Sequence, residues 1–229
     1  MVMEMLSTNQ WKRPMYFAVT IGNDYHLGLD PYLELTGMAY RITPERSEDG
    51  RPRVNTAEMY ENMMHQFRFG NVNQPGIYLD ENTLRMCRTH RMMFAQLAEA
   101  LYMEGWQTED TLVRKEKHAK ALQVLDYADE MLPACNVSYD HTSVSMAALY
   151  YELDQPEKAN TIMQAMADNA IEYIQWGASL DSQRRSSAQS TINNYIAIFD
   201  YVMRNFMRFE QKELFNQYFD VYKSLGLNE

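Results

Sequence analysis

Acidic side chains near the N-terminus are the first candidates for catalysis in this sequence. Asp24, Asp30 and Glu34 lie close together along the chain, and paired carboxylates can divide general-acid and general-base work. Asp30 also precedes a proline, a combination typical of a helix start. A small hydrolase would need a deep polar pocket around Asp24, His26 and Tyr40, which sequence spacing cannot show. The sequence therefore assigns no catalytic residue.

The five histidines and two cysteines do not follow a metal-binding spacing. Cys87 and His90 are one helical turn apart and can share a face, but a zinc site needs three or four ligands. Cys87 and Cys135 are also too few for a disulfide framework. No phosphate-binding glycine loop, dinucleotide fingerprint or nucleophile elbow is present. The sequence predicts no metal and no cofactor.

Aromatic and basic side chains are the remaining candidates for binding. Trp11-Lys12-Arg13 with Tyr16 can stack on a sugar or lie at a membrane interface; alternatively, Trp11 packs the N-terminal segment against the following helices. Paired arginines can bind an acidic peptide or a phosphate, although a solvated helix face also accounts for them. The candidate contacts to a partner or sugar are Trp11, Arg13, Tyr16, Arg88, Arg91, Tyr151, Arg184 and Arg185.

Two short segments match modification patterns. Asn136-Val137-Ser138 fits the N-glycosylation acceptor pattern. Asp110-Thr111-Leu112 resembles a bacterial O-glycosylation acceptor, in a turn that we expect to be exposed.

Composition restricts the class of protein. The 229 residues are 46% apolar and 23% charged, and the formal net charge is -10. This acidic balance argues against nucleic acid and against anionic lipid as partners. The longest apolar run, Met15–Ile21, is too short to span a membrane. The first residues lack the basic region and cleavage site of a signal peptide, so at face value the chain is cytoplasmic.

The elements that must position these residues fall into two regions. Met15–Ile21 and Met38–Thr43 predict two short strands, rich in aromatic and β-branched residues. Between them, Asp30 and the following proline predict a short helix that ends at Gly37. Parallel pairing of the strands would require a right-handed crossover. Residues 45–53 are polar and predict an exposed loop or linker.

From Asn55 onward the sequence predicts almost only helices. Apolar residues recur at i, i+3 and i+4 in the later segments, and such amphipathic helices must bury that face against partners. The predicted helices are Thr56–Phe67, Asp80 (as cap) to about Glu104, where Gly105 stops it, about Thr111–Leu132, Thr142–Leu153, Pro156–Trp176, Ser187–Arg208 and Lys212–Ser224, which ends before Gly226.

Helix pairs of the later segments resemble tetratricopeptide repeats. In Val144–Ala167, small residues at Ala147 and Ala159 fit the close approach of two helices joined by a tight turn at Asp154-Gln155-Pro156. A second copy, around Ala121–Pro133 with Phe94–Met103, has a longer connection. A third pair has matching lengths and apolar residues only. We predict a mainly α fold of tetratricopeptide-like antiparallel helical repeats (residues 55–229) behind a small α/β cap of two strands and a short helix (residues 1–54).

Two motifs in the cap indicate a family. They are Trp11-Lys12-Arg13-Pro14-Met15-Tyr16-Phe17-Ala18 and the stretch from Gly28 through Tyr32-Leu33 to Gly37-Met38-Ala39-Tyr40-Arg41-Ile42-Thr43-Pro44. Together they resemble the soluble C-terminal region of a bacterial family of multi-pass membrane proteins related to protein O-mannosyltransferases. In that family a membrane-embedded transferase domain comes first and a tetratricopeptide-like tail follows.

The resemblance implies a non-catalytic part of a larger membrane protein. Its catalytic carboxylates would lie in the membrane domain, so this chain itself would not be an enzyme. The domain would lie on the periplasmic side of the inner membrane. It would contact the membrane domain of the same parent chain and bind a partner or acceptor protein in the groove of its repeats. The alternative is a free-standing cytoplasmic helical-repeat scaffold that binds peptides and has no link to glycosylation.

Overall fold

The computed structural model describes residues 2–224, which form eight α-helices and a four-stranded sheet. All strands lie before residue 55 and long helices dominate after residue 80, so the predicted mainly α class with a small N-terminal cap is confirmed. The helices are α1 (Val2–Asn9), α2 (Thr56–Glu61), α3 (Glu81–Gln107), α4 (Thr111–Met131), α5 (His141–Glu152), α6 (Pro156–Ser179), α7 (Ser182–Arg208) and α8 (Lys212–Ser224). The strands are β1 (Tyr16–Ala18), β2 (Leu33–Leu35), β3 (Ala39–Ile42) and β4 (Arg53–Val54).

The chain divides into two compact units, Met1–Val137 and Ser138–Glu229. The first contains the sheet and α1–α4, and the second contains α5–α8. The predicted boundary after residue 54 lies within the first unit and stays a prediction.

The sheet has the strand order β1-β3-β2-β4. β3 pairs antiparallel with both β1 and β2, and β4 adds to β2 in parallel. The two predicted strands are therefore present in shortened form, but they pair antiparallel, so no right-handed crossover joins them. Phe17, Leu33 and Ile42 form the core of the cap, and Val2 and Leu6 of α1 pack on it.

The prediction of a helix between these two strands is wrong. Asp30–Tyr32 makes a single 3-10 turn, and the chain continues directly into β2. Leu33 and Leu35 are 0% and 1% exposed, because strand alternation turns both toward the interior. Burial of two leucines therefore prevails over the local helix-start signal of Asp30. Neither α1 nor β4 was expected from the sequence.

The helices of the first unit begin at side-chain caps. Asn55, rather than Thr56, caps α2 by accepting the Glu58 N–H at 3.0 Å, and α2 runs on into a π-helical turn, Asn62–Gln66. The Asp80 carboxylate accepts the Thr83 N–H at 2.8 Å and starts α3 as predicted.

Gly105 does not stop α3, which continues to Gln107. A Cβ at Gly105 would lie 2.6 Å from the His118 ring. This glycine therefore permits the close approach of α4 and does not serve as a helix stop.

The second unit consists of antiparallel helix neighbours joined by short turns. α5 and α6 are separated by a three-residue turn that contains Asp154 at a φ of 57°. Ala147 and Ala159 are both fully buried in this unit, as the predicted close approach requires. α7 begins before the predicted Ser187, because the Asp181 side chain accepts the Arg184 N–H at 2.9 Å. α8 has the predicted bounds, and its predicted stop at Gly226 lies outside the described residues.

Candidate interaction surfaces

A row of paired side chains crosses one face of the cap sheet. Tyr16, Arg41, Glu34 and Arg53 are in register on β1, β3, β2 and β4. The Arg41 guanidinium donates to Glu34 and lies 2.9 Å from the Glu58 carboxylate of α2. The Glu34 hydrogen bond raises the pKa of Arg41. Within this row Arg41 therefore links α2 to the sheet, while Tyr16 at the edge strand stays 47% exposed.

Of the three residues proposed for a hydrolase pocket, His26 and Tyr40 are brought together, with Asp30, whereas Asp24 is exposed. The His26 Nδ1 lies 2.8 Å from Asp30 Oδ1, and the ring stacks on Phe17 at 5.5 Å and meets Tyr40 edge-on at 5.7 Å. Burial, and then the Asp30 charge, raises the pKa of Tyr40. His26 is only 2% exposed, and its Nε2 is buried without a partner. This cluster therefore connects the loops of the cap and presents no accessible imidazole.

The Trp11 segment is presented on the surface of the cap. Trp11 is 54% exposed, with a φ of 59°. The Asn9 side chain accepts the Arg13 N–H and donates to the Arg13 carbonyl, which closes the turn after α1. Lys12 and Arg13 are exposed beside the indole. More than half of the Trp11 surface is therefore exposed and does not pack against the cap.

Further large apolar side chains are exposed in the same region. Single exposed apolar residues are common on proteins, but a concentration of them marks interaction sites. The cap residues of this kind that precede residue 28 are Met3, Met5, Trp11, Tyr16, Tyr25 and Leu27.

Arg88 and Arg91 lie three positions apart on α3 and were considered together as a basic site, but their environments differ. Arg88 is exposed on α3. Arg91 is 2% exposed and donates from Nη2 to the carbonyls of Leu132 at 2.9 Å and Val137 at 2.6 Å. Its guanidinium therefore holds the chain that leaves α4.

Tyr151 lies inside the second unit. It is 8% exposed, donates to the Asn160 side chain and stacks on Phe209 at a centroid distance of 4.5 Å. Burial raises the pKa of its phenol to about 12. These contacts give Tyr151 a packing role in α5.

The pair Cys87 and His90 lies on α3, with Cys87 buried and the pKa of its thiol raised by that burial. His90 Nδ1 is 2.8 Å from the Met86 carbonyl oxygen. Between residues 2 and 224, no three side chains of His, Cys, Asp or Glu are grouped to hold a metal ion.

Arg184 and Arg185 also differ in their partners. Arg184 Nε lies 3.4 Å from Asp181 Oδ2, whereas Arg185 Nε donates to the Gly177 carbonyl at 3.1 Å. Arg184, but not Arg185, lines an open cavity of about 650 Å³, together with Trp176 near the end of α6. Trp176 was not among the residues selected from the sequence; it lies off the buried face of α6, which runs through Ile174 and Gly177, so apolar spacing gives no signal for it.

A second apolar surface lies between α7 and α8. Two neighbouring cavities of about 530 and 330 Å³ share Met207 and Phe215. Tyr218, the buried residue of α8, donates from its hydroxyl to Asp168 of α6 at 2.8 Å, and burial together with this bond raises its pKa. Met207 is 57% exposed, so the surface includes an adaptable apolar side chain.

The two modification motifs differ in accessibility. The Asn136 amide donates to the carbonyls of Val72 and Gln74, each at 2.7 Å, so both of its hydrogens are engaged. Thr111 is exposed in the first turn of α4, beside the Asp110 cap.

No helix among residues 2–224 combines the length and the apolar character needed to cross a membrane.

Comparison with known proteins found a match for the N-terminal part of the chain and none for α3–α8. A family model described as TMEM260-associated domain 2 matches residues 1–62, which include α1, the sheet and α2. No curated protein and no solved structure matches the chain. The two cap motifs that suggested a membrane transferase family lie inside the matched residues.

Proposed function

We propose that this chain is a non-catalytic interaction region of a membrane glycosyltransferase-like protein and that its cap contacts the membrane domain of the same parent chain. The observation that carries this proposal is the match of residues 1–62 to a TMEM260-associated domain. It coincides with the two motifs in residues 11–44 that resemble a family related to protein O-mannosyltransferases.

The surface of the cap supports a docking role. Trp11, Tyr16 and Tyr25 are 54%, 47% and 72% exposed, with Lys12 and Arg13 beside the first of them. Tryptophan and tyrosine have an apolar body and a polar edge, so they suit a boundary between protein, headgroups and water. In this proposal the cap lies on the periplasmic side of the inner membrane.

The helices that follow serve as the receiving part. The tight α5–α6 turn and the buried Ala147 and Ala159 are compatible with a tetratricopeptide-like pair. The cavities between α7 and α8 provide an apolar groove with a Met207 rim, suited to a peptide or helix of a partner or acceptor protein.

The gene region before the Met1 codon tests the parent-chain proposal directly. We expect a continuous reading frame that encodes several membrane helices. A reading frame that starts at Met1 would contradict the proposal and favour the free-standing cytoplasmic scaffold.

Photo-crosslinking in the parent protein tests the docking surface. A photoreactive residue at Trp11 or Tyr25 should crosslink to the membrane domain, whereas one at Tyr201, which is 47% exposed in the second unit, serves as the matched control. Equal crosslinking from all three positions, or none from the cap, would refute docking through the cap.

A further inference from the structure

The open cavity beside Trp176 combines an aromatic ring with side chains that donate hydrogen bonds and side chains that accept them. Its lining includes Trp176, Leu180, Asp181, Gln183, Arg184 and Ser187, all within the second unit. We propose that this cavity binds a neutral sugar ring, with the indole as the stacking platform and the polar side chains as partners for the hydroxyl groups.

The platform is held in place by neighbouring rings. Tyr173 meets Trp176 edge-on, with centroids 6.2 Å apart, and stacks on Tyr195 at 3.9 Å with an interplanar angle of 7°. Trp176 nevertheless remains 46% exposed. A pyranose has a face of C–H groups that can cover such a ring, and a ring already held in position loses little conformational entropy on binding.

The charges at the cavity compensate one another. Asp181 Oδ1 accepts the Arg184 N–H at 2.9 Å, and Asp181 Oδ2 lies 3.4 Å from Arg184 Nε. Sugar hydroxyls both donate and accept, so a carboxylate and a guanidinium side by side can serve the same ligand. Gln183 and Ser187 add an amide and a hydroxyl to the lining.

The same geometry disfavours an anionic ligand. A phosphate or an acidic peptide is attracted by uncompensated positive charge, but Arg184, which lines the cavity, has the Asp181 carboxylate beside it, and Arg185 is not part of the lining. Only one of the two adjacent arginines therefore lines the cavity, and it has a carboxylate as its neighbour. The cavity therefore presents a ring face bordered by one pair of opposite charges and by the neutral Gln183 and Ser187, which suits a polyhydroxylated neutral ligand.

The expected affinity is low. A sugar ring has few heavy atoms, so its dissociation constant should be on the order of 1 mM. Binding of a longer neutral oligosaccharide should be tighter, since it can cover Tyr173 as well as Trp176.

Saturation-transfer NMR and tryptophan fluorescence on the whole chain test the site. The probes are glucose, galactose, mannose and N-acetylglucosamine, each as the free sugar and as a short linear oligosaccharide. At least one should bind saturably, and Trp176→Ala should weaken it at least tenfold. Trp106→Ala is the matched control, because Trp106 is 54% exposed but does not line this cavity.

Further variants separate the sugar site from a loss of structure. Asp181→Asn keeps a good helix cap but removes the charge, so it should weaken the sugar while the circular dichroism stays unchanged. Trp176→Leu keeps apolar bulk and should also lose binding. Absence of saturable binding for every sugar, or equal binding by the Trp176 and Trp106 variants, would overturn the proposal. Trp176-dependent binding of inorganic phosphate or a glutamate-rich peptide in place of sugar would overturn it too. None of these outcomes affects the cap crosslinking test.

Discussion

Gly177 allows α7 to approach α6 closely, and adding one methyl group there should destabilise the second unit. A Cβ at position 177 would lie 2.6 Å from both Cδ1 and Cγ1 of Ile192, whereas ordinary van der Waals contacts span 3.4–4 Å. Replacing glycine by alanine in a helix interior normally stabilises it by about 1 kcal/mol. Two opposing effects therefore meet at this position.

The steric effect should prevail. Rotation about χ2 of Ile192 moves only Cδ1, so relief at Cγ1 requires a change of χ1 or a shift of the helix. Isoleucine has one strongly preferred χ1 rotamer in a helix, and this one is 7% exposed among packed neighbours. Overpacking of this kind costs about 1–3 kcal/mol. Combined with the propensity gain, Gly177→Ala should lower the free energy of unfolding by about 1 kcal/mol.

A double-mutant cycle measured by urea denaturation checks this mechanism. Ile192→Ala alone should cost about 2–4 kcal/mol because it leaves a cavity. In the double variant the new methyl group occupies that space, so the two changes should couple favourably by at least about 1 kcal/mol. Additive effects, or a stabilising Gly177→Ala, would refute the reasoning. Gly22→Ala is the control, since its Cβ would meet only a Tyr25 ring carbon at 3.8 Å.

Three other predictions concern single side chains. Arg91→Met should cost about 2–4 kcal/mol by leaving two buried carbonyls without their donor, whereas the exposed Arg88→Met should cost less than about 0.5 kcal/mol in the same denaturation assay. The pKa of Tyr151 is raised to about 12 in the folded protein, so folding favours its neutral phenol. The stability that Tyr151 contributes is therefore complete below a pH of about 10 and is lost as the pH rises toward 12. Alkaline denaturation of wild type and Tyr151→Phe should show this, and a variant with an unchanged alkaline midpoint would contradict it. Asp140 accepts the N–H groups of the first turn of α5, so Asp140→Ala should cost about 1 kcal/mol while Asp140→Asn stays near wild type; a thermal scan that ranks the two equally would contradict the cap.

Much of the helical architecture follows from local signals. Asp80 and the turn at residues 154–156 set helix ends through contacts within a few residues, and the bounds of α8 follow from its own apolar spacing. Such signals are readable because capping and amphipathic periodicity depend on neighbours three or four positions away. The two motifs that suggested the family likewise lie within residues 1–62, which the family model matches.

Other features depended on partners distant in the sequence. Leu33 and Leu35 form a strand because Ile42 and Tyr40 pair with them, which the Asp30-Pro31 start signal could not reveal. Gly105 looks like a helix stop, yet His118 of the next helix explains it.

The candidate contacts divide in the same way. Sequence alone determined which side chains could bind, because residue type sets the available chemistry: the exposed Trp11 and Tyr16 were among them. Only the tertiary structure decided that Arg91 and Tyr151 are buried and that Trp176 borders a cavity with Arg184. Burial and pairing arise from packing between helices. The distances between side chains on different helices are not encoded in the residue spacing along a single helix.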